Sequence, residues 1–240
     1  MKFRKLHRRI APALALTAAA ILAATVVAPT AAVADDPYAE VRSGYEALGM
    51  TETTIDALLA KLDAGQPIDA LLPNAEPVSE STFVQVGDAP YAEDGATVFV
   101  RWYEDGSPAV SAVEEAVEVP AGAIVPFSVQ GCSVSSGSGY SNYTGCTVSA
   151  WWGTVQSAFR ASFTLVQGGY DQITNAYNGW QQCAYPTTCS APYESQRKSY
   201  ENASGPATSR WQQTVTAPWG SWEVWIQLRV GGDSYGNISS

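Results

Sequence analysis

The sequence predicts a mainly β protein: an antiparallel β-sandwich preceded by a short acidic helical segment. Three observations carry this reading. Apolar residues recur at helical spacing between residues 36 and 72, the period changes to two after Thr82, and all four cysteines fall in the alternating half.

Ahead of both regions lies an export signal. Lys2, Arg4, Lys5, Arg8 and Arg9 form a basic n-region, Ala11 to Ala28 is apolar, and Ala32-Val33-Ala34 offers the small-x-small pattern of a cleavage site. Residues 1–34 are therefore expected to be a signal peptide, with Asp35 as the new N-terminus and a secreted, extracellular product. Cleavage directly after the apolar run argues against a stable membrane anchor. No later stretch approaches 18 apolar residues, and no lipobox cysteine sits at the site. The twin arginines Arg8-Arg9 are followed by Ile10-Ala11-Pro12, a poor fit to a twin-arginine route.

Removing the signal leaves 206 residues with a net charge of −15 and, with His7 gone, no histidine. A Ser-His-Asp or Cys-His nucleophilic system, a His-based zinc hydrolase and a His general base are then all excluded. The negative excess is uneven: residues 35–120 carry 18 acids against Arg42, Lys61 and Arg101, whereas residues 121–240 hold five charges of each sign. So acidic a surface disfavours nucleic acid, whose phosphates require clustered Lys and Arg.

Residues 35–78 read as an acidic helical segment and linker, a pro-segment or a cover. Tyr38, Val41, Tyr45 and Leu48 space a short first helix, and Ile55, Leu58, Leu59 and Leu62 form the apolar stripe of a second. Thr51 is its expected N-cap, and Gly65 with Pro67 ends it. Pro67 to Pro77 reads as a linker or irregular cover. The stripe requires a surface to lie on.

Residues 79–240 read as a disulfide-bonded β-sandwich. Thr97 to Tyr103 is a strand closed by the turn Glu104-Asp105-Gly106-Ser107-Pro108, with Ala109 to Val119 as its returning partner. Thr154 to Gln167 places Val155, Phe159, Ala161, Phe163 and Leu165 on one face; Trp222 to Val230 does the same with Trp222, Val224, Ile226, Leu228 and Val230. Clean alternation of this kind belongs to antiparallel sheet with one covered face.

Cys132, Cys146, Cys183 and Cys189 allow three pairings. The local pairing, Cys132 with Cys146 and Cys183 with Cys189, is the expectation, since each pair brackets a turn-rich loop. The spacing matches no zinc pattern, and exported thiols oxidise. No metal or cofactor is expected, and Gly231-Gly232-Asp233-Ser234-Tyr235-Gly236-Asn237 lacks the repeated Asp spacing of calcium loops.

Carboxylate chemistry survives the loss of histidine, but the acids after Ala121 (Asp171, Glu194, Glu201, Glu223 and Asp233) are not paired by any sequence feature. No catalytic residue is assigned. Tryptophan is the better lead, for seven of eight lie between residues 151 and 225. Strand parity sets Trp151 beside Thr147 and Ser149, opposite Trp152, and sets Trp225 among Glu223, Gln227 and Arg229. Trp151 and Trp225, with Arg160, Gln227 and Arg229, then form an aromatic, hydrogen-bonding platform suited to sugars or peptide surfaces. Two rival readings stand: the helical stripe covers this polar-looking face, or Trp225 packs on an arginine stem.

The stretch from Gly131-Cys132 to Gly145-Cys146 followed by Trp151-Trp152-Gly153, then Leu165 to Asp171, then Trp225 to Asp233, resembles a pattern in uncharacterised secreted proteins of actinobacteria. The resemblance implies a small secreted β protein and transfers no functional residue. The expected function is a non-enzymatic extracellular module that binds glycan or a protein surface through aromatics. A carboxylate-dependent hydrolase, or a toxin or inhibitor under an acidic mask, is the alternative; oligomeric state is left open.

Overall fold

The computed structural model describes residues 36–120 and 131–240. The export signal expected over residues 1–34, with His7, lies outside them.

The acidic segment folds as two helices, α1 (Ala39–Ala47) and α2 (Glu52–Asp63). Thr51 caps α2, its hydroxyl accepting the Thr54 N–H at 3.3 Å, and Glu52 and Lys61 complement the helix dipole at the two ends. Ile55, Leu58, Leu59 and Leu62 are buried as the spacing predicts. Arg42 ties the helices through Glu52 at 3.1 Å and Asp56 at 2.8 Å. The Pro67 to Pro77 stretch is cover rather than linker. Its Ile68 and Leu71 are buried around a 3₁₀ turn, Asp69–Leu71.

Among the described residues thirteen strands form two sheets. The large sheet holds β1 (Ser79–Val84), β2 (Thr97–Trp102), β3 (Pro108–Val113), β4 (Val117–Glu118), β5 (Ser133–Gly137), β6 (Tyr140–Trp151), β7 (Val155–Val166) and β8 (Gln172–Cys183). The small sheet holds β9 (Thr188–Cys189), β10 (Tyr193–Lys198), β11 (Ala207–Ala217), β12 (Gly220–Val230) and β13 (Tyr235–Ser239). Pairing is antiparallel throughout, apart from the two-residue parallel contact of β4 with β5. Long β6 carries β5 along its first half and β3 along its second, with β7 on its other side.

The expected return strand over Ala109 to Val119 is cut short at Val113. Glu114 turns the chain by bonding: its carboxylate accepts the N–H of Cys132 at 2.6 Å and of Thr147 at 2.9 Å. The disulfides are Cys132–Cys146 and Cys183–Cys189, the local pairing.

The sheets pack face to face as a sandwich. Trp152, Phe159 and Phe163 of the large sheet meet Ile226, Leu228 and Val230 of the small one, all of them fully buried. Phe159 stacks on Trp211 at 5.5 Å, and the Trp152 Nε1–H donates to Ser240 O at 2.6 Å. Asn237 spans the gap, its amide donating at 3.2 Å to the carbonyls of Ala112 and Ser149.

The helices form a third layer on the opposite side of the large sheet. Tyr45 meets the Trp151 ring edge-on at 5.2 Å, and Gly44 lies so close that a Cβ there would stand 2.6 Å from that ring. Tyr91 packs on Trp151 at 5.9 Å and donates to the α1 carbonyl of Ala47. Helices and strands therefore share one core and one compact unit.

Candidate functional site

The five-residue platform read from parity is divided by the sandwich. Trp151 and Arg160 stand on the outer face of the large sheet, since Thr147 pairs with Arg160 and Trp151 with Gln156 across β6 and β7. Trp225, Gln227 and Arg229 stand on the outer face of the small sheet, with the inter-sheet core between the two groups. Strand parity placed each side chain on its correct side, but the two outer faces point in opposite directions.

Trp151 is not an exposed platform. It is 4 % exposed, because Gly44, Tyr45 and Tyr91 close over it. The helical stripe covers the polar-looking face, as the rival reading has it. Arg160 remains half-buried, near enough to Glu93 to act on its ionisation. Burial lifts the Glu93 carboxyl above its ordinary range and the Glu114 charge adds to the lift, while Arg160 opposes both.

The face of the small sheet is the more open one, although the predicted binding residue Gln227 is only 9 % exposed there, packed in beside Arg210. Tyr193, Gln212 and Trp225 form one row across β10, β11 and β12, and Gln196, Arg210 and Gln227 form the next. The Arg210 guanidinium lies 4.0 Å above the Trp225 ring and its Nε–H donates to Gln227 Oε1 at 2.8 Å. Trp225 does pack on an arginine, supplied by β11. The Gln212 amide donates to Tyr193 Oη and reaches Glu223 at 3.4 Å. A third row brings Lys198, Thr208 and Arg229 together, and Arg229 is exposed without a hydrogen-bond or ion-pair partner among the described residues. Arg210, Gln212 and Tyr193 escaped the sequence reading. Their strand alternation was the available signal, masked because β11 turns polar Ser209 and Gln213 inward.

A cleft of 460 Å³ opens between α1 and the ends of β6, β7 and β8. Glu40 and Ser43 line its helical wall, and Trp151, Thr154, Gln156 and Gln182 its sheet wall. Past Gln156 and Gln182 it adjoins a hollow of 280 Å³ reaching Glu93, Glu114 and Trp180.

Three of the five late acids are occupied with backbone. Fully buried Asp171 accepts the N–H of Val166 at 2.7 Å and of Asp233 at 3.0 Å, and Glu201 accepts those of Asp171 and Gly232 at 3.0 Å each. With Asp233, whose carboxylate accepts the Gly168 N–H at 3.3 Å, three carboxylates staple these turns. Glu194 takes the Ser209 hydroxyl at 2.7 Å, and Glu223 is exposed. Among the described residues no group of three His, Cys, Asp or Glu is arranged to hold a metal ion.

Two disulfides fit an extracellular setting. Among the described residues no helix is long and apolar enough to cross a membrane. No family model matches the chain, and no curated protein matches it. Among solved structures it is similar to hypothetical protein lmo2686 from Listeria monocytogenes EGD-e, at 19% identity and a TM-score of 0.32, over 60% of this chain and 94% of that one. So distant a likeness transfers neither fold nor activity.

Proposed function

We propose that the protein is a secreted, non-enzymatic glycan-binding module, and that the outer face of the small sheet is its recognition surface. The observation that carries this is the row Tyr193–Gln212–Trp225 beside Arg210–Gln227, on a sheet face that no described element covers. Flat rings offer apolar stacking surface, and amides locked to their neighbours fix the orientation of a hydroxylated ligand. Mutual packing of Arg210, Trp225 and Gln227 preorganises the face, which lowers the entropy lost on binding. Lys198, Arg210 and Arg229 against Glu223 give this face a local positive excess, which favours acidic sugar chains over neutral ones against the acidic charge of the rest of the chain.

Against the hydrolase reading, Glu114, Asp171 and Glu201 are each bonded to two backbone N–H groups. The removable-mask reading is weakened by burial. Tyr45, Ile55, Leu58 and Leu62 belong to the same core as the strands.

The test is a glycan array and polysaccharide pull-down with Trp225→Ala and Arg229→Ala. Binding should weaken about tenfold or more for the first variant, equivalent to about 1.4 kcal/mol, with the circular dichroism spectrum unchanged. Undiminished binding by folded Trp225→Ala sinks the assignment of this face.

A further inference from the structure

We infer that the cleft between α1 and the large sheet is a second binding site, which accepts one uncharged sugar ring. It is separate from the small-sheet face and does not depend on that face binding anything.

The strongest observation is Thr154. It lines the cleft, is only 2 % exposed, and its hydroxyl, buried just behind the wall, has no hydrogen-bond partner among the described residues. Leaving a buried hydroxyl unpaired costs about 1–3 kcal/mol, so an orphan that persists at a cleft wall marks a place where a partner arrives. The backbone there is firmly held. Thr154 O accepts the Ala184 N–H at 2.8 Å and the Thr187 hydroxyl at 3.1 Å, beside the Cys183–Cys189 loop. The wall that carries Thr154 is therefore fixed rather than a loose loop, and its hydroxyl lies directly beneath the surface a ligand would contact.

The other polar groups define the ligand. Gln156 spends an amide hydrogen on Pro90 O at 2.8 Å, and Gln182 spends one on Glu40 Oε2. Their carbonyl oxygens, the Glu40 carboxylate and the Ser43 hydroxyl leave a rim rich in acceptors, and the lining contains no Lys, Arg or His. An acceptor-rich rim selects a ligand rich in donors, and a carboxylate without a compensating cation rejects anions. Trp151, Val41 and Ala184 supply apolar wall for the ring carbons. A cleft of 460 Å³ falls within the usual range for small-molecule sites, about 300–1,000 Å³. A neutral pyranose, with hydroxyl donors around an apolar body, meets each of these conditions.

Saturation-transfer NMR on the mature protein, with glucose, galactose and mannose as neutral probes and glucuronate as the anionic one, tests this. At least one neutral hexose should receive saturation and glucuronate should not. Thr154→Val should weaken that hexose about tenfold with a melting temperature equal to or above wild type, since the substitution removes an unpaired hydroxyl. Ser43→Leu, at an exposed helix position on the cleft rim, should block binding independently of any change at Thr154. Trp225→Ala should leave hexose binding intact. Silence from all three neutral hexoses, binding of glucuronate alone, binding retained in Thr154→Val and Ser43→Leu, or binding lost in Trp225→Ala would each overturn the cleft assignment. The last result points to the small-sheet face instead, and loss of polysaccharide binding alone in Trp225→Ala leaves the cleft standing.

Discussion

The two outer faces of the sandwich begin from the same sequence pattern and end in opposite states. Each belongs to an alternating strand that sends a tryptophan to its polar side: Trp151 beside Thr147 and Ser149, Trp225 beside Glu223 and Gln227. On the large sheet that side is roofed by α1 and α2, and Trp151 is a core residue. On the small sheet nothing described lies above it, and Trp225 instead gathers Arg210 and Gln227 around its ring. Strand parity decides which way a side chain points. Whether water or a helix meets it there is decided by a segment a hundred residues away.

The comparison breaks most readily at the roof. Leu58 is 1 % exposed on α2, so Leu58→Ala should destabilise the fold by about 2–5 kcal/mol. Gln212→Ala on the open face should move stability by no more than about 0.5 kcal/mol. Urea denaturation of both variants checks the contrast; equal losses would mean the small-sheet face is also load-carrying core. Gly44→Ala sharpens the point at one contact. Its new methyl would stand 2.6 Å from Cζ2 of Trp151, so helix and ring must separate, at about 1–3 kcal/mol. An unchanged melting temperature would show that α1 rides freely above the sheet.

Local chemistry made several of these elements legible. Thr51 as N-cap, the Ile55–Leu62 stripe, the β2 to β3 turn and the parity of Trp151 against Trp152 all depend on residues within one turn or one strand. The helical cover was foreseen only as a rival, because an apolar stripe announces that it needs a surface without naming which. β11 was illegible as a strand: its inward positions include Ser209 and Gln213, which erase the alternation that betrayed β7 and β12. With it went Arg210 and Gln212, and so the actual partners of Trp225. The cleft could not be read at all. Glu40, Thr154 and Gln182 meet only because α1 crosses the ends of three strands.

The dependence of the roof on pH is a smaller effect than the loss of its apolar contacts. Lys61 of α2 pairs with Asp105 of the β2–β3 turn at 2.9 Å and with Asp69 at 3.2 Å, joining helix, 3₁₀ turn and hairpin. Burial alone would raise the Asp105 carboxyl, but Lys61, the Ser107 hydroxyl and the N–H groups of Asp69 and Ser107 outweigh it and hold the group below its ordinary value. An acid held low in the folded state is protonated first in the unfolded chain. Its contribution is complete above the unfolded value of about 3.9 and is lost as pH falls through the lower folded value. Asp105 and Lys61 are partly solvated, which limits the contribution to about 1 kcal/mol. Acidification below pH about 4 should therefore loosen the helical layer, read as a change in tryptophan fluorescence that Trp151→Phe diminishes, and Asp105→Asn should flatten this part of the stability profile while lowering stability at neutral pH. A variant with the wild-type acid profile would place the pH dependence elsewhere and leave the roof held by apolar contacts alone.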